Sequence, residues 1–233
     1  MKKFNYYLYG GEIKPQADVI DVDLFDTPKK EVEKYDGEVF AYISVGSYET
    51  NRPDSKDFPS NAIGNKLENW EKERAIDITN REIISIMKKR IALAKDKGFD
   101  GVEFDNVNVY ENEEEFPSGF DLNAKQAIDY FKELANYAMS LGLKVMLKNC
   151  IYIWQDLEGY YDYVLVENAF MWEEEDELRG CKKPVFWVEY PKDTESSMDF
   201  RRRIKSLPKK YNVIGKLYDL GEHTVYNLSL IHI

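Results

Sequence analysis

The sequence predicts a single α/β domain in which eight parallel strands and their connecting helices form a (β/α)₈ barrel, or TIM barrel. The first reason is that strand-like and helix-like runs alternate along all 233 residues, as they do in consecutive βαβ units. The second is that the clear helices lead at once into strands, whereas the long connections follow strands. In a barrel, the loops that follow the strands build the active site.

The eight predicted strands are short apolar runs bounded by polar and glycine-containing segments. They cover residues 4–9, 17–24, 39–45, 99–105, 143–149, 161–167, 185–190 and 213–218. The long connections after the third and fourth strands span residues 46–78 and 106–122. These two segments are therefore the predicted walls of a site at the carboxyl ends of the strands.

Two helices follow from apolar residues that recur every three to four positions. The first is predicted over residues 80–97, with a capping box formed by Thr79 and Glu82. The second is predicted over residues 124–141, with Asn123 as its N-cap. A glycine ends each helix, at Gly98 and Gly142.

The composition excludes several classes of partner and site. The net charge of −11 argues against nucleic acids, which require basic patches, and leaves room for a cationic partner. Aromatic residues make up 14% of the chain and suit either sugar stacking or core packing. The two cysteines, Cys150 and Cys181, form no C-x-x-C pair and no zinc-ligand spacing. The sequence contains no run of 18 apolar residues, so no membrane span is predicted. It shows no N-terminal signal, which predicts a cytoplasmic protein.

The last six residues predict a tail that is foreign to the domain. Residues 228–233 read Leu-Ser-Leu-Ile-His-Ile, which is what a common sequencing-transposon end gives when it is translated in one frame. We therefore expect the barrel domain to span residues 1–227 and to be truncated at its C-terminal end. His223 is then the only native histidine, and we expect it on the surface, so histidine-based triads and metal sites have almost no ligands available.

Acidic residues stand at the ends of several predicted strands. In the fourth strand, Val102 and Phe104 share one face, while Glu103 and Asp105 share the other, inward face. The sixth and seventh strands also end in acids, at Glu167 and Glu189. Because inward carboxylates are costly to desolvate unless they are paired or used, this pattern indicates a functional site.

Three kinds of site fit such a group of acids. Glycoside hydrolysis needs two carboxyl groups, one to protonate the leaving oxygen and one to attack the anomeric carbon or to activate water. A divalent metal site built from Asp and Glu is the second possibility. The third is a structural ion network around Lys148, which ends the fifth strand together with Asn149.

Several segments in order along the chain resemble the endo-α-1,4-polygalactosaminidases of glycoside hydrolase family 114. The most specific is Gly-Phe-Asp-Gly-Val-Glu-Phe-Asp-Asn at residues 98–106. It belongs to a longer matching run from Ile86 to Asn106. The others are residues 21–27, residues 41–46, Glu49 with Arg52-Pro53, residues 147–149, the strand that ends at Glu167, and residues 188–190. The resemblance extends from Phe4 to about Asp219 and so covers nearly the whole chain.

The resemblance implies a barrel that cleaves galactosamine-containing polysaccharide without a cofactor or a metal, and a secreted protein if the true start lies upstream. It places the catalytic pair on Asp105, as nucleophile, and Glu167, as acid/base. Because Val166 and Ala169 flank Glu167, we expect a raised pKa that suits a general acid. The residues that we expect to contact the polysaccharide lie in or beside these motifs: Asp23, Tyr42, Ser44, Glu103, Asn106, Lys148, Asn149, Glu189 and Tyr190.

The chain departs from the family pattern at three places. Phe4 and Tyr7 stand where members usually have Trp and Gln, and Asn108 stands where a second Asp is common. The family's cysteine after the sixth strand is replaced, since the chain reads Glu167-Asn168-Ala169-Phe170. Two alternatives therefore stay open: a glycosidase of different sugar specificity, and a non-catalytic carbohydrate-binding barrel.

Overall fold

A computed structural model describes residues 2–67, 70–111, 117–217 and 224–226. Its strands, in chain order, are β1 (Phe4–Tyr7), β2 (Val19–Asp23), β3 (Glu38–Ser44), β4 (Ser47–Glu49), β5 (Ile63–Lys66), β6 (Glu73–Ile76), β7 (Gly101–Asp105), β8 (Lys144–Lys148), β9 (Tyr163–Glu167), β10 (Val185–Glu189), β11 (Asn212–Lys216) and β12 (Thr224–Tyr226). The α-helices are α1 (Lys29–Lys34), α2 (Arg81–Lys97), α3 (Ala124–Ser140) and α4 (Ser197–Ser206).

The main sheet contains all eight of the strands that the sequence predicts. Its order is β1-β2-β3-β7-β8-β9-β10-β11-β12, and every pairing from β1 to β11 is parallel. The ninth strand, β12, pairs antiparallel with β11. The sheet curls until its last strands meet its first. Two hydrogen bonds join them: Asn212 donates to the Lys2 carbonyl (2.7 Å), and Thr224 donates to Asn5 Oδ1 (3.3 Å). The predicted barrel is confirmed.

The two predicted helices are present, with one cap changed. Helix α3 begins after Asn123, whose side chain accepts from the Gln126 amide in a full capping box. Helix α2 ends at Lys97 and is capped by Gly98, whose φ of 88° glycine adopts without steric cost. The predicted capping box of Thr79 and Glu82 is wrong: Asn80 is the N-cap, and the Thr79 hydroxyl donates to Asp77 instead.

The connection after β3 folds into a small sheet that the sequence did not predict. Strands β4, β6 and β5 form this antiparallel sheet in that order. These strands are three or four residues long and rich in charge, so they lack the apolar alternation that identifies a strand. The sheet matters because it stands beside the carboxyl end of β3 and forms one wall of the mouth of the barrel.

The barrel interior is apolar at one end and polar at the other. Near the strand starts, Phe4 stacks on Phe186 and Phe186 on Tyr163, with ring centroids 4.3 and 5.3 Å apart. Near the strand ends, the interior also contains buried charged groups. Val102 and Phe104 pack outward beneath the helices, whereas Glu103 and Asp105 are buried on the other face, as predicted. Within the described residues, no helix is long and apolar enough to cross a membrane.

Some of the predictions from the sequence concern residues outside the described part of the chain. The segment 228–233 lies outside the described residues, and so does His223. The division into a domain of residues 1–227 and a foreign tail therefore stays a prediction.

Candidate active site

A cavity of about 810 Å³ opens at the carboxyl ends of the barrel strands. Its floor is formed by Tyr6, Tyr42, Asp105, Lys148 and Glu167. Six of the nine expected substrate contacts line this cavity: Asp23, Tyr42, Asn106, Lys148, Asn149 and Tyr190. The strand ends therefore meet in one place, as the barrel predicts.

Lys148 is the central cation of the site. Its ammonium lies 3.1 Å from Asp105 Oδ2 and 3.3 Å from Glu167 Oε2, and it donates to the Tyr6 hydroxyl at 2.9 Å. Burial lowers the pKa of Lys148, but the charges of Asp105 and Glu167 outweigh burial and raise that pKa well above its usual value. Lys148 therefore stays charged, and the ion network around Lys148 considered from the sequence is present.

Asp105 ends β7 and receives a donor at each oxygen. The Tyr42 hydroxyl donates to Oδ2 at 3.0 Å, and the Asn106 backbone amide donates to Oδ1 at 2.9 Å. Together with Lys148, these donors hold the carboxylate in one orientation at the cavity floor. A fixed carboxylate of this kind can attack an electrophilic carbon placed above it.

Glu167 ends β9 and is held just as firmly. The Tyr190 hydroxyl donates to Oε1 at 2.6 Å, and the Asn149 side chain donates to Oε2 at 3.0 Å. Burial raises the pKa of Glu167, but Lys148, Tyr190 and Asn149 together hold that pKa below its usual value. The expectation of a raised pKa is therefore wrong, because the apolar neighbours in sequence gave no sign of donors from adjacent strands.

Three asparagines in left-handed conformation follow the ends of three strands. Asn106 (φ 61°), Asn149 (φ 54°) and Asn168 (φ 57°) come directly after Asp105, Lys148 and Glu167. Asparagine tolerates this region better than most residues. Their side chains bond to neighbouring strand ends: Asn106 donates to Ser44 Oγ, Asn149 accepts from the Glu167 amide, and Asn168 accepts from the Tyr190 amide. This arrangement turns the chain sharply and ties the strand ends together.

Three expected substrate contacts do not line the cavity. The Ser44 hydroxyl is buried between Asn106 and Ser47. Glu189 is fully buried and accepts from Arg203 of α4 (2.8 Å) and from the Phe170 amide (3.0 Å). These partners account for both residues as internal contacts, which the position at a strand end alone did not reveal.

Glu103 is the third residue that does not reach the cavity, and it lies one level deeper in the barrel together with Asp21. Both residues are completely buried, and within the described part of the chain their carboxyl groups have no hydrogen-bond partner other than each other. Burial raises the pKa of both groups well above the usual range, although Lys148 opposes the shift. Burial therefore favours the neutral form of both carboxyl groups, which limits the buried negative charge beneath Asp105.

A second cation organises the far end of the cavity. Arg52 lies 2.7 Å from Asp23, 2.7 Å from Glu49 and 3.6 Å from Asp26. Burial raises the pKa of Glu49 to about 7, although Arg52 and Arg90 oppose the shift. At this end of the cavity, three carboxyl groups therefore surround one arginine.

The cavity residues that the sequence interpretation missed include Glu73 and Trp70. Both belong to the small sheet or its turn and line the cavity. Glu73 Oε2 accepts from the Ser47 hydroxyl at 2.6 Å. Burial raises the pKa of Glu73, and the charge of Asp105 adds to this effect against the Ser47 hydrogen bond. In sequence, Glu73 stands in a run of charged residues that looks like a solvated turn.

No group of three or more histidine, cysteine or acidic side chains within the described ranges is arranged to hold a metal ion. Between Asp105 and Glu167 the positive charge is instead supplied by Lys148. Asn108 donates to Glu111 at 3.0 Å and is not part of the cavity lining, so this departure from the family pattern lies outside the cavity.

Comparison with known proteins gives one family and several structural relatives. The sequence model of glycoside-hydrolase family GH114 matches residues 1–230. The structure of Aspergillus fumigatus Ega3 in complex with galactosamine is similar over 97% of this chain and 94% of that chain, with 27% identity and a TM-score of 0.86. The glycoside hydrolase domain of PelA from Pseudomonas aeruginosa shares the fold, with 16% identity, 96% and 97% coverage, and a TM-score of 0.69. No curated protein sequence matches.

Proposed function

The chain belongs to glycoside hydrolase family GH114, and we propose that it cleaves internal α-1,4 bonds in a galactosamine-containing polysaccharide. Glycosidase activity follows from the family, whereas the sugar, the linkage and the internal cleavage are the finer parts of the proposal. They are supported by the resemblance of the sequence motifs and by the likeness to Ega3, which was solved in complex with galactosamine.

The observation that carries the proposal is the pair of carboxylates on either side of Lys148. Since one ammonium lies within 3.3 Å of both, Asp105 Oδ2 and Glu167 Oε2 are no further apart than the two distances together, about 6.4 Å. Retaining glycosidases separate their two carboxyl groups by about 5–5.5 Å and inverting ones by about 6.5–9.5 Å. The upper limit joins only one oxygen of each group and agrees with a catalytic pair of either kind. We propose the retaining mechanism, with a covalent intermediate, because the resemblance implies that Asp105 is the nucleophile.

In this mechanism, Asp105 attacks the anomeric carbon while the bond to the leaving oxygen breaks. Glu167 gives its proton to that oxygen, so that one part of the polysaccharide leaves as an alcohol and the other stays bound to Asp105. Glu167 then takes a proton from water, the water oxygen attacks the anomeric carbon, and the carboxylate of Asp105 is released. Tyr42 and Asn106 hold Asp105 in the orientation that the attack requires.

The first step needs protonated Glu167, and its donors make that form scarce at neutral pH. Lys148, Tyr190 and Asn149 favour the ionised carboxylate. We therefore expect kcat/KM, which depends on the ionisation of the free enzyme, to fall as pH rises above the lowered pKa of Glu167. The enzyme should therefore work best in acid.

The charge of the cavity supports a cationic substrate. Its lining includes the carboxylates of Asp23, Asp26, Glu49, Glu73, Asp105 and Glu167, against the two cations Arg52 and Lys148. A polymer of deacetylated galactosamine has an ammonium on each sugar and would be attracted to such a cavity. The net charge of −11 over the whole chain acts in the same direction.

Incubation with purified polysaccharides tests the proposal. We expect oligosaccharides of mixed length from an α-1,4-linked polymer that contains galactosamine, and no products from polymers of other sugars. The Glu167→Gln protein is the matched negative control, and Asp129→Asn, at an exposed helix position, is the positive control. Cleavage of a different polymer by the wild-type protein would refute the sugar assignment. Release of single sugars alone would refute internal cleavage.

A further inference from the structure

Glu73 differs from the other carboxylates of the cavity in having no cationic partner. Asp105 and Glu167 share Lys148, while Asp23, Asp26 and Glu49 share Arg52. Glu73, in contrast, forms no ion pair with any residue in the described ranges 2–67, 70–111, 117–217 and 224–226. One oxygen, Oε2, is bonded to Ser47, and the side chain is half-buried in the cavity wall.

A directed chain of hydrogen bonds connects Glu73 with the residue that follows Asp105. The Asn106 amide donates to Ser44 Oγ at 2.8 Å, Ser44 Oγ and Ser47 Oγ are 2.6 Å apart, and Ser47 Oγ donates to Glu73 Oε2 at 2.6 Å. Each hydroxyl has one proton, so Ser44 must donate to Ser47. The chain thus ends on Glu73 as an acceptor and fixes one of its oxygens. The other oxygen is left available to a ligand in the cavity.

Trp70 provides a flat apolar surface next to this carboxylate. Its side chain is 57% exposed although it lines the cavity, and the Glu73 backbone amide donates to the Trp70 carbonyl at 2.9 Å. The hydrogen bond closes the turn that leads into β6, so both residues belong to one short structural unit. An exposed indole in a sugar-binding cavity offers its face to the CH groups of a sugar ring.

We propose that Glu73 recognises the charged amino group of a galactosamine unit next to the cleaved bond, and that Trp70 packs against the ring of that unit. The assignment rests on the proposed function, because it names the residues that distinguish an amino sugar from its N-acetylated form. The unpaired carboxylate can form a charge-assisted hydrogen bond with an ammonium, whereas an acetamide brings no charge to balance it. Glu73 acts here in specificity and takes no part in bond cleavage.

Binding measurements separate this recognition from catalysis. With Glu167→Gln as the non-cleaving parent, titration calorimetry compares fully deacetylated and fully N-acetylated galactosamine oligomers of equal length. Adding Glu73→Gln keeps an acceptor for Ser47 but removes the charge. We expect affinity for the deacetylated oligomer to fall about 10- to 100-fold, the usual value of a hydrogen bond to a charged group. Affinity for the N-acetylated oligomer should stay within about twofold.

The matched controls are Glu71→Gln and Trp172→Ala, which change exposed side chains outside the cavity lining and should leave both affinities unchanged. Trp70→Ala should lower the affinity for both oligomers equally, because the indole contacts the sugar ring and not the nitrogen. Equal losses for both oligomers in Glu73→Gln, no loss for either, or a parent that does not prefer the deacetylated oligomer would each overturn the assignment. If the parent binds selectively but the wild-type protein leaves the oligomer intact, the proposed cleavage fails while the recognition by Glu73 stands.

Discussion

Replacing Tyr190 with phenylalanine should move the activity of the enzyme towards neutral pH. The Tyr190 hydroxyl donates to Glu167 Oε1 at 2.6 Å and is one of the groups that hold the pKa of Glu167 below its usual value. A hydrogen bond to a charged group contributes about 1.5–3 kcal/mol, and one pKa unit corresponds to about 1.4 kcal/mol. Loss of the donor should therefore raise the pKa of Glu167 by about one to two units.

The sign follows from the role of Glu167 as general acid. A higher pKa keeps the carboxyl protonated to higher pH. The falling limb of kcat/KM should therefore move to higher pH by about one to two units. The assay is initial-rate kinetics across acidic to neutral pH, with each protein compared with its own acidic plateau. Tyr152→Phe is the matched control, because its hydroxyl donates at 3.0 Å to Glu174, away from the cavity. An unmoved limb in Tyr190→Phe would refute the assignment of Glu167 as the acid.

Two further predictions concern stability and can be checked by chemical denaturation. Asn168→Ala should lower the free energy of unfolding by about 1 kcal/mol more than Asn168→Gly does. Both variants lose the hydrogen bond to the Tyr190 amide, but only alanine is strained at a φ of 57°. Equal losses in the two variants would refute the strain. Glu103→Gln should stabilise the protein more at pH 7 than at pH 4, by about 1.4 kcal/mol for each pH unit in that interval over which Glu103 is ionised in the unfolded chain and neutral in the folded protein. As pH rises, Glu103 ionises in the unfolded chain before it does in the folded protein, so the wild-type protein loses stability and the Glu103→Gln protein does not. If the difference in unfolding free energy between the two proteins did not change with pH, Glu103 would not be a buried neutral acid.

The strand ends were predictable because their pattern is local. Alternation placed Val102 and Phe104 outward and Glu103 and Asp105 inward, and the barrel brought Asp105 and Glu167 to one cavity. The order of strands along the chain is also their order in the main sheet, apart from the small sheet inserted after β3. The prediction of the barrel therefore required only the succession of elements and the rule that parallel strands point the same way.

The chemistry of the site was less predictable because it depends on partners far apart in sequence. The lowered pKa of Glu167 comes from Lys148, Asn149 and Tyr190, which stand on the two strands that flank β9 or directly after them. Glu189 ends a strand as Glu167 does, yet it bonds to Arg203 of α4, a helix whose position the sequence did not indicate. Glu73 enters the cavity only because a charged connection folds into a sheet.

Intact-mass analysis of the Glu167→Gln protein tests most directly whether Asp105 is the nucleophile and Glu167 the acid/base. The substrate is a galactosamine oligomer with an activated aryl leaving group, which departs without a proton. The first step should then proceed, while the second should slow about 10²- to 10⁴-fold without its base. We expect a protein heavier by the glycosyl part of the oligomer, with the added mass on the peptide that contains Asp105, and no adduct in Asp105→Asn. An adduct on Glu167 in the Asp105→Asn protein, with none in Glu167→Gln, would contradict the account and exchange the two roles.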